Sequence, residues 1–220
     1  IQQKNVELDK KKQVLAALDN FEKDAEAAYN TYVKADQLLN ADGTVAAENG
    51  GFAVENAAVS EAQLPLYVCE VEGETKYVLP LYGAGLWGPI WGYVALNADK
   101  ESIYGVYFSH SGETPGLGAE ITNRDKFQVP FIGKKALDAD GNVVISVVKN
   151  GKVQNPDTEV DGISGGTITS QGVDAMLKSG IGLYKAFLTK KCEKACPAAA
   201  CDSTACPASV PATAIQVVNQ

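Results

Sequence analysis

The densest chemistry in the chain sits in Asp161-Gly162-Ile163-Ser164-Gly165-Gly166-Thr167-Ile168-Thr169-Ser170, a run of small and hydroxyl-bearing residues ahead of an amphipathic stretch. Glycines let backbone approach a ligand closely. A helix that starts here offers unpaired N–H groups and the positive end of its dipole, a natural seat for phosphate. Thr167 is placed to donate a hydrogen bond to such a phosphate or to be joined to it. The plain alternative is an ordinary turn with a Ser/Thr cap, Ser170 being the fitting N-cap. A second loop, Glu113-Thr114-Pro115-Gly116-Leu117-Gly118, combines a fixed φ at Pro115 with two glycines that permit tight curvature. It suits either a surface turn or a wrap around one edge of a planar ring, with Leu117 against the ring. A third loop, Gly83-Ala84-Gly85-Leu86-Trp87-Gly88-Pro89-Ile90, presents Trp87, whose type favours core filling over stacking on a flat ligand.

Other chemistries are excluded by what is scarce. His110 is the single histidine, which rules out His-rich metal sites and leaves it a structural or solvent-facing residue in the simplest reading. Arg124 is the single arginine, and 27 acidic against 19 basic residues give a net charge of -8. Such a chain lacks the basic face and bidentate arginines of a nucleic-acid binder. Of five cysteines, Cys69 falls in an apolar strand and reads as an inert buried thiol. Cys192, Cys196, Cys201 and Cys206 crowd the C-terminus with three- and four-residue gaps. These gaps match neither zinc ribbons nor iron–sulfur runs, so no metal is expected, and disulfides within the tail fit a compartment outside the cytoplasm. No run of about 18 apolar residues is present to span a membrane. The chain opens on Ile1, which is read as the loss of an upstream tag, signal or anchor.

The elements that must position these loops are legible in outline. Leu8, Leu15, Leu18, Phe21, Ala25, Tyr29 and Tyr32 recur at helical spacing, predicting a long N-terminal helix over residues 6–39 that ends at the Asn40-Ala41-Asp42-Gly43 turn. Residues 44–60 read as loop with room for a short element. Strands are expected over 66–71 and 76–81 as a hairpin, then over 90–96, 102–108 and 143–148, with residues 127–132 a short helix or an extended piece. A last helix follows Ser170, with Val173, Met176, Leu177, Gly180, Ile181, Tyr184, Phe187 and Leu188 on one face. The class is α+β, antiparallel sheets with helices at both ends. Its expected divisions are an N-terminal helical segment (1–43), a ligand-binding domain (44–191) and a poorly ordered Cys/Pro/Ala-rich tail (192–220).

The Asp-x-x-Ser-Gly-x-Thr-x-Thr-Ser pattern of residues 161–170 resembles the flavinylation motif of the FMN-binding domain family, and Glu113–Gly118 resembles that family's second hallmark. Gly166 stands where Ala is usual. The resemblance covers residues 1–190 and implies FMN joined to Thr167 by a phosphoester. It further implies contacts from Leu86, Trp87, Glu113, Thr114, Gly116, Leu117, Gly118, Ser164, Gly165, Gly166, Ile168, Thr169 and Ser170. A separate flavin transferase using FAD and Mg2+ is implied as a partner, with Asp161 in the motif it recognises. A carboxylate near a helix start is also favoured by the dipole, which is the bland account of Asp161. A phosphodiester carries about one negative charge, so backbone N–H groups and hydroxyls suffice and no arginine is needed.

The third loop is similar to that of the C subunits of Na+-translocating NADH:quinone oxidoreductases, with the G subunits of Rnf-type complexes the near alternative. This implies electron relay beside other subunits of a membrane complex, a missing N-terminal membrane anchor, and a soluble domain on the periplasmic side of the inner membrane. No side-chain acid–base pair is then required, so no catalytic residue is expected. Two other readings are a flavin-free assembly module of the same fold and, ranked last, a hydrolase or transferase using Glu113, His110 or Asp161.

Overall fold

Successive side chains of a strand leave opposite faces of a sheet, and the central strands of this chain are apolar and buried on both. The computed structural model describes residues 2–190, and the expectation for the Cys-rich tail, with Cys192, Cys196, Cys201 and Cys206, lies outside the described residues. The main sheet contains β1 (Val33–Leu39), β2 (Val45–Ala47), β3 (Leu64–Val71), β4 (Glu74–Ala84), β5 (Pro89–Leu96) and β6 (Ile103–His110). Its order is β2-β1-β3-β4-β5-β6, and every pairing is antiparallel. The β3–β4 hairpin closes through Glu72 and Gly73, both with positive φ (53° and 80°), the signature of a two-residue turn whose twist matches the strands. A parallel pair, β7 (Ser146–Val148) and β8 (Glu159–Asp161), lies outside the main sheet and feeds the helix that follows.

Each face of the sheet has its own core. On one, Leu66, Leu79, Leu81, Ile90, Val94 and Phe108 pack with Val173, Met176, Leu177 and Ile181 of α3 (Thr167–Leu183). On the other, Tyr67, Cys69, Val78, Tyr93 and Ala95 pack with Val14, Ala17 and Leu18 from α1 (Gln2–Ala17) and the turn after it. The alternation of Leu79 and Leu81 against Val78, and of Val94 against Tyr93 and Ala95, is the period-2 pattern of a sheet covered on both sides. Cys69 is buried, and burial pushes its thiol up to about 12, so it is the inert thiol expected. The α+β class stands, with helices at both ends of the described chain.

The helical reading of residues 6–39 is corrected. The helix stops at Ala17, Asp19 takes a positive φ of 58°, and Glu22 N–H donates to Asn20 Oδ1, a local bond that competes with helix. A new helix, α2 (Ala25–Tyr32), starts on Asp24, whose Oδ1 accepts from Ala27 N–H at 3.0 Å. Residues 33–39 are strand β1, paired with β3 from Val33↔Cys69 to Leu39↔Leu64. Tyr29 and Tyr32 are helical as their spacing predicts, but beyond Tyr32 pairing to a neighbouring strand overrides the extension of that helix. The expected boundary at residue 43 does not interrupt the packing, because β1 belongs to the main sheet and the described chain forms one compact unit. Residues 124–131 are short helical turns, resolving the helix-or-extended choice there. The short α4 (Lys185–Leu188) closes the described chain.

Candidate functional site

Three chain crossings converge at one end of the sheet: the 85–88 loop after β4, the 111–118 loop after β6, and the 162–166 loop between β8 and α3. They enclose a cleft of about 360 Å³. Leu86 and Trp87 line it from the first loop, Glu113, Thr114, Leu117 and Gly118 from the second, and Gly165, Gly166, Thr167, Ile168 and Thr169 from the third. Eleven of the residues expected at the site thus meet in one wall. Three of the expected cofactor contacts do not. Gly116, with φ +73°, lines a neighbouring hollow of about 370 Å³ together with Ser164 and Asp161, the residue expected in the recognition motif. Ser170 borders a smaller cavity of about 100 Å³ instead.

The start of α3 differs from the expected one. Its N-cap is Gly166, no side chain caps it, and Thr167 is the first helical residue, so Ser170 lies inside the first turn. The Ser170 hydroxyl donates to Gly166 O at 2.8 Å and accepts from Ile163 N–H at 2.9 Å, bracing the loop from within. Thr169 donates to Glu113 Oε2 at 2.5 Å. Both hydroxyls that could have turned back to cap the helix are therefore engaged elsewhere. The first N–H groups of α3 have no intrahelical partner, and Thr167 is exposed beside them.

Glu113 holds the cleft together. Its Oε1 accepts from Trp87 N–H at 2.9 Å while Oε2 takes the Thr169 bond, so one carboxylate joins all three loops. A Cβ on Gly85 would collide with Oε1, and one on Gly118 with Oε2, so both glycines are required by the carboxylate between them. The Glu113 N–H donates to His110 Nδ1 at 3.1 Å, which makes His110 the structural residue expected and gives it a specific task. Sequence reasoning placed Glu113 at the site but missed this clamp. Nothing in the spacing of residues 85–88, 113 and 169 shows that they meet. Gly165, with φ +77°, brings the loop against Leu117, 2.7 Å from a Cβ placed there.

Trp87 is 68% exposed, which overturns the core-filling reading; Glu113 and Gly118 occupy the buried positions beside it. Leu86, Leu117 and Ile168 are also exposed, so the cleft is rimmed by four large apolar side chains open to water. Such a patch marks a binding surface. Asp161 accepts from Gly151 N–H at 2.7 Å and Asn150 Nδ2 donates to Gly162 O at 3.0 Å, so the carboxylate steadies the 150–151 turn and not the helix start. Among the described residues no His/Cys/Asp/Glu group is arranged to hold a metal ion.

These features fit a flavin nucleotide: apolar side chains for a ring, glycine backbone that permits close approach, and unpaired N–H groups with a Thr hydroxyl for a phosphate. The arrangement defines an FMN-binding fold, and the family described as FMN-binding domain matches residues 85–182. The crystal structure of the C subunit of the Na(+)-translocating NADH-quinone reductase from Parabacteroides distasonis superposes with a TM-score of 0.81 at 44% identity, covering 86% of this chain and 96% of that one. NqrC from Shewanella oneidensis superposes with a TM-score of 0.71 at 26% identity, over 84% of this chain and 96% of that one. The C subunit of the reductase from Haemophilus ducreyi is 40% identical over 132 residues, 57% of this chain and 50% of the relative. That from Pseudomonas aeruginosa is 36% identical over 135 residues, 58% and 51%. The chain belongs to the family of C subunits of the Na+-translocating NADH-quinone reductase. It spans about half the length of the curated relatives it matches.

Proposed function

We propose that Thr167 carries FMN through a phosphoester and that the chain relays electrons within a membrane-bound, Na+-translocating NADH-quinone reductase. The observation that carries this reading is the open start of α3: an uncapped helix, an exposed Thr167 at its first position, and a cleft with apolar walls beside it. A bound flavin supplies one- and two-electron chemistry; the protein supplies position and electrostatics. Thr167 anchors the phosphate, and the N–H groups of the first turn of α3 meet its remaining charge. Leu86, Trp87, Leu117 and Ile168 supply apolar surface for the ring, while Glu113 and Thr169 keep the loops at their spacing. No proton needs to move through a side chain, so no catalytic residue is assigned.

Asp161, exposed in the neighbouring hollow, is the residue offered to a flavin transferase. Among the described residues no helix is long and apolar enough to cross a membrane. This reading includes association with the inner membrane, with this domain on the periplasmic side, and the partners are the other subunits of the complex. The test is co-expression with a flavin transferase, followed by fluorescence of the denatured band and the mass of the Thr167 peptide. Covalent flavin in the native chain and none in Thr167→Val is the expected result. A native chain without flavin, or flavin retained by Thr167→Val, overturns the attachment and favours a flavin-free assembly module.

A further inference from the structure

Of the eleven residues that line the cleft, Glu113 alone is ionisable; the other ten are apolar, glycine or threonine. It is 5% exposed and joins no ion pair among the described residues. Its two oxygens accept from the Trp87 N–H and the Thr169 hydroxyl, neither of which is a counter-ion. The two glycines at 85 and 118 leave room for the carboxylate and for nothing larger. Had the clamp needed only hydrogen bonds, a glutamine would make it: its Oε1 accepts from Trp87 N–H and its Nε2 donates to Thr169 Oγ1.

We propose that Glu113 sets the reduction potential of the flavin carried at Thr167, its buried negative charge opposing the arrival of electrons and holding the potential low. The inference rests on the Thr167 reading above. The reduced flavin, having taken up two electrons and one proton from solvent, carries one more negative charge than the oxidised form; Glu113 neither gains nor loses an atom. A charge as buried as that of Glu113 repels a like charge beside it more than it would in water, and salt screens a buried charge poorly. The charge therefore favours the oxidised form.

The experiment is a spectroelectrochemical titration at pH 7 of the flavinylated chain and its Glu113→Gln, Glu113→Asp and Thr169→Val variants, at roughly 0.1 M and 1 M salt. Glu113→Gln removes the charge and keeps both bonds. Its reduced-to-oxidised ratio at fixed potential is expected to rise about tenfold or more, an upward shift of about 30 mV or more for a two-electron couple. That shift persists at high salt. Glu113→Asp keeps the charge and stays near the native potential. Thr169→Val strips a donor from the carboxylate and moves the potential down, a readout that also serves if Glu113→Gln fails to take flavin. An unchanged potential in fully loaded Glu113→Gln, equal upward shifts in the Gln and Asp variants, or an upward shift in Thr169→Val overturns the proposal while leaving the attachment intact. A native chain without covalent flavin overturns the attachment reading, and this inference with it.

Discussion

Two helices in this molecule begin in opposite ways. The start of α2 is closed by its own sequence: Asp24 accepts from Ala27 N–H, and Glu26 adds an acidic side chain in the first turn. The start of α3 has neither device, although Thr167, Thr169 and Ser170 all carry hydroxyls within its first turn. Thr169 is turned to Glu113 and Ser170 back to Gly166 O. A helix that exists only to support the fold satisfies its donors locally. One that serves a ligand leaves them open and spends nearby hydroxyls on holding the surrounding loops. The contrast locates the functional end of the molecule from the hydrogen bonds alone.

That contrast can be broken at four places. The largest effect is expected on the open side from Gly118→Ala, whose Cβ collides with Glu113 Oε2 and Thr169 Oγ1. The loss should be about 2 kcal/mol, read from the urea midpoint, with covalent flavin reduced as well. Next comes pH on the closed side. The neutral Cys69 thiol is held in the folded state up to about 12, whereas in the unfolded chain it ionises near ~8.5. Its contribution is whole below the unfolded value and is lost as pH rises toward the folded one, roughly 1.4 kcal/mol by about pH 9.5. Comparing unfolding at neutral and alkaline pH should show this slope, and Cys69→Ala should flatten it. Asp24→Ala removes the cap of α2 and should cost about 1 kcal/mol in thermal unfolding, with flavin loading untouched. The smallest stability change, within about 0.5 kcal/mol, is expected from Thr167→Val, because the side chain is exposed and holds nothing in the fold. A large loss of stability there would erase the difference between the two helix starts.

The chemistry of the open side was largely legible in the sequence because it is carried by contiguous motifs. The two hallmark loops and the Gly83–Ile90 segment each announce themselves by glycine, proline and hydroxyl content, and eleven of their residues do line one cleft. What was hidden is what happens between segments. The Glu113 clamp joins residues 26 and 56 positions apart, and no local pattern encodes such a meeting. Trp87 was misread because aromatic bulk normally fills cores, while here the buried place beside it is taken by a carboxylate. The helical spacing ends at Tyr32 but no turn signal precedes Asn40, so residues 33–39 read as helix, and only pairing with β3 makes them strand. Ser170 reads as the cap because the run offers four similar hydroxyls, Ser164, Thr167, Thr169 and Ser170, and backbone geometry alone selects Gly166.

The Glu113 clamp also records the order in which the molecule comes together. It cannot close until β4, β5 and β6 are registered, because Trp87 and Glu113 reach each other from the ends of paired strands. The Trp87 amide is therefore a sentinel for completed folding: its hydrogen-exchange protection should appear together with that of the central strands, and a chain that has not assembled its sheet has no finished cleft to present to a modifying enzyme.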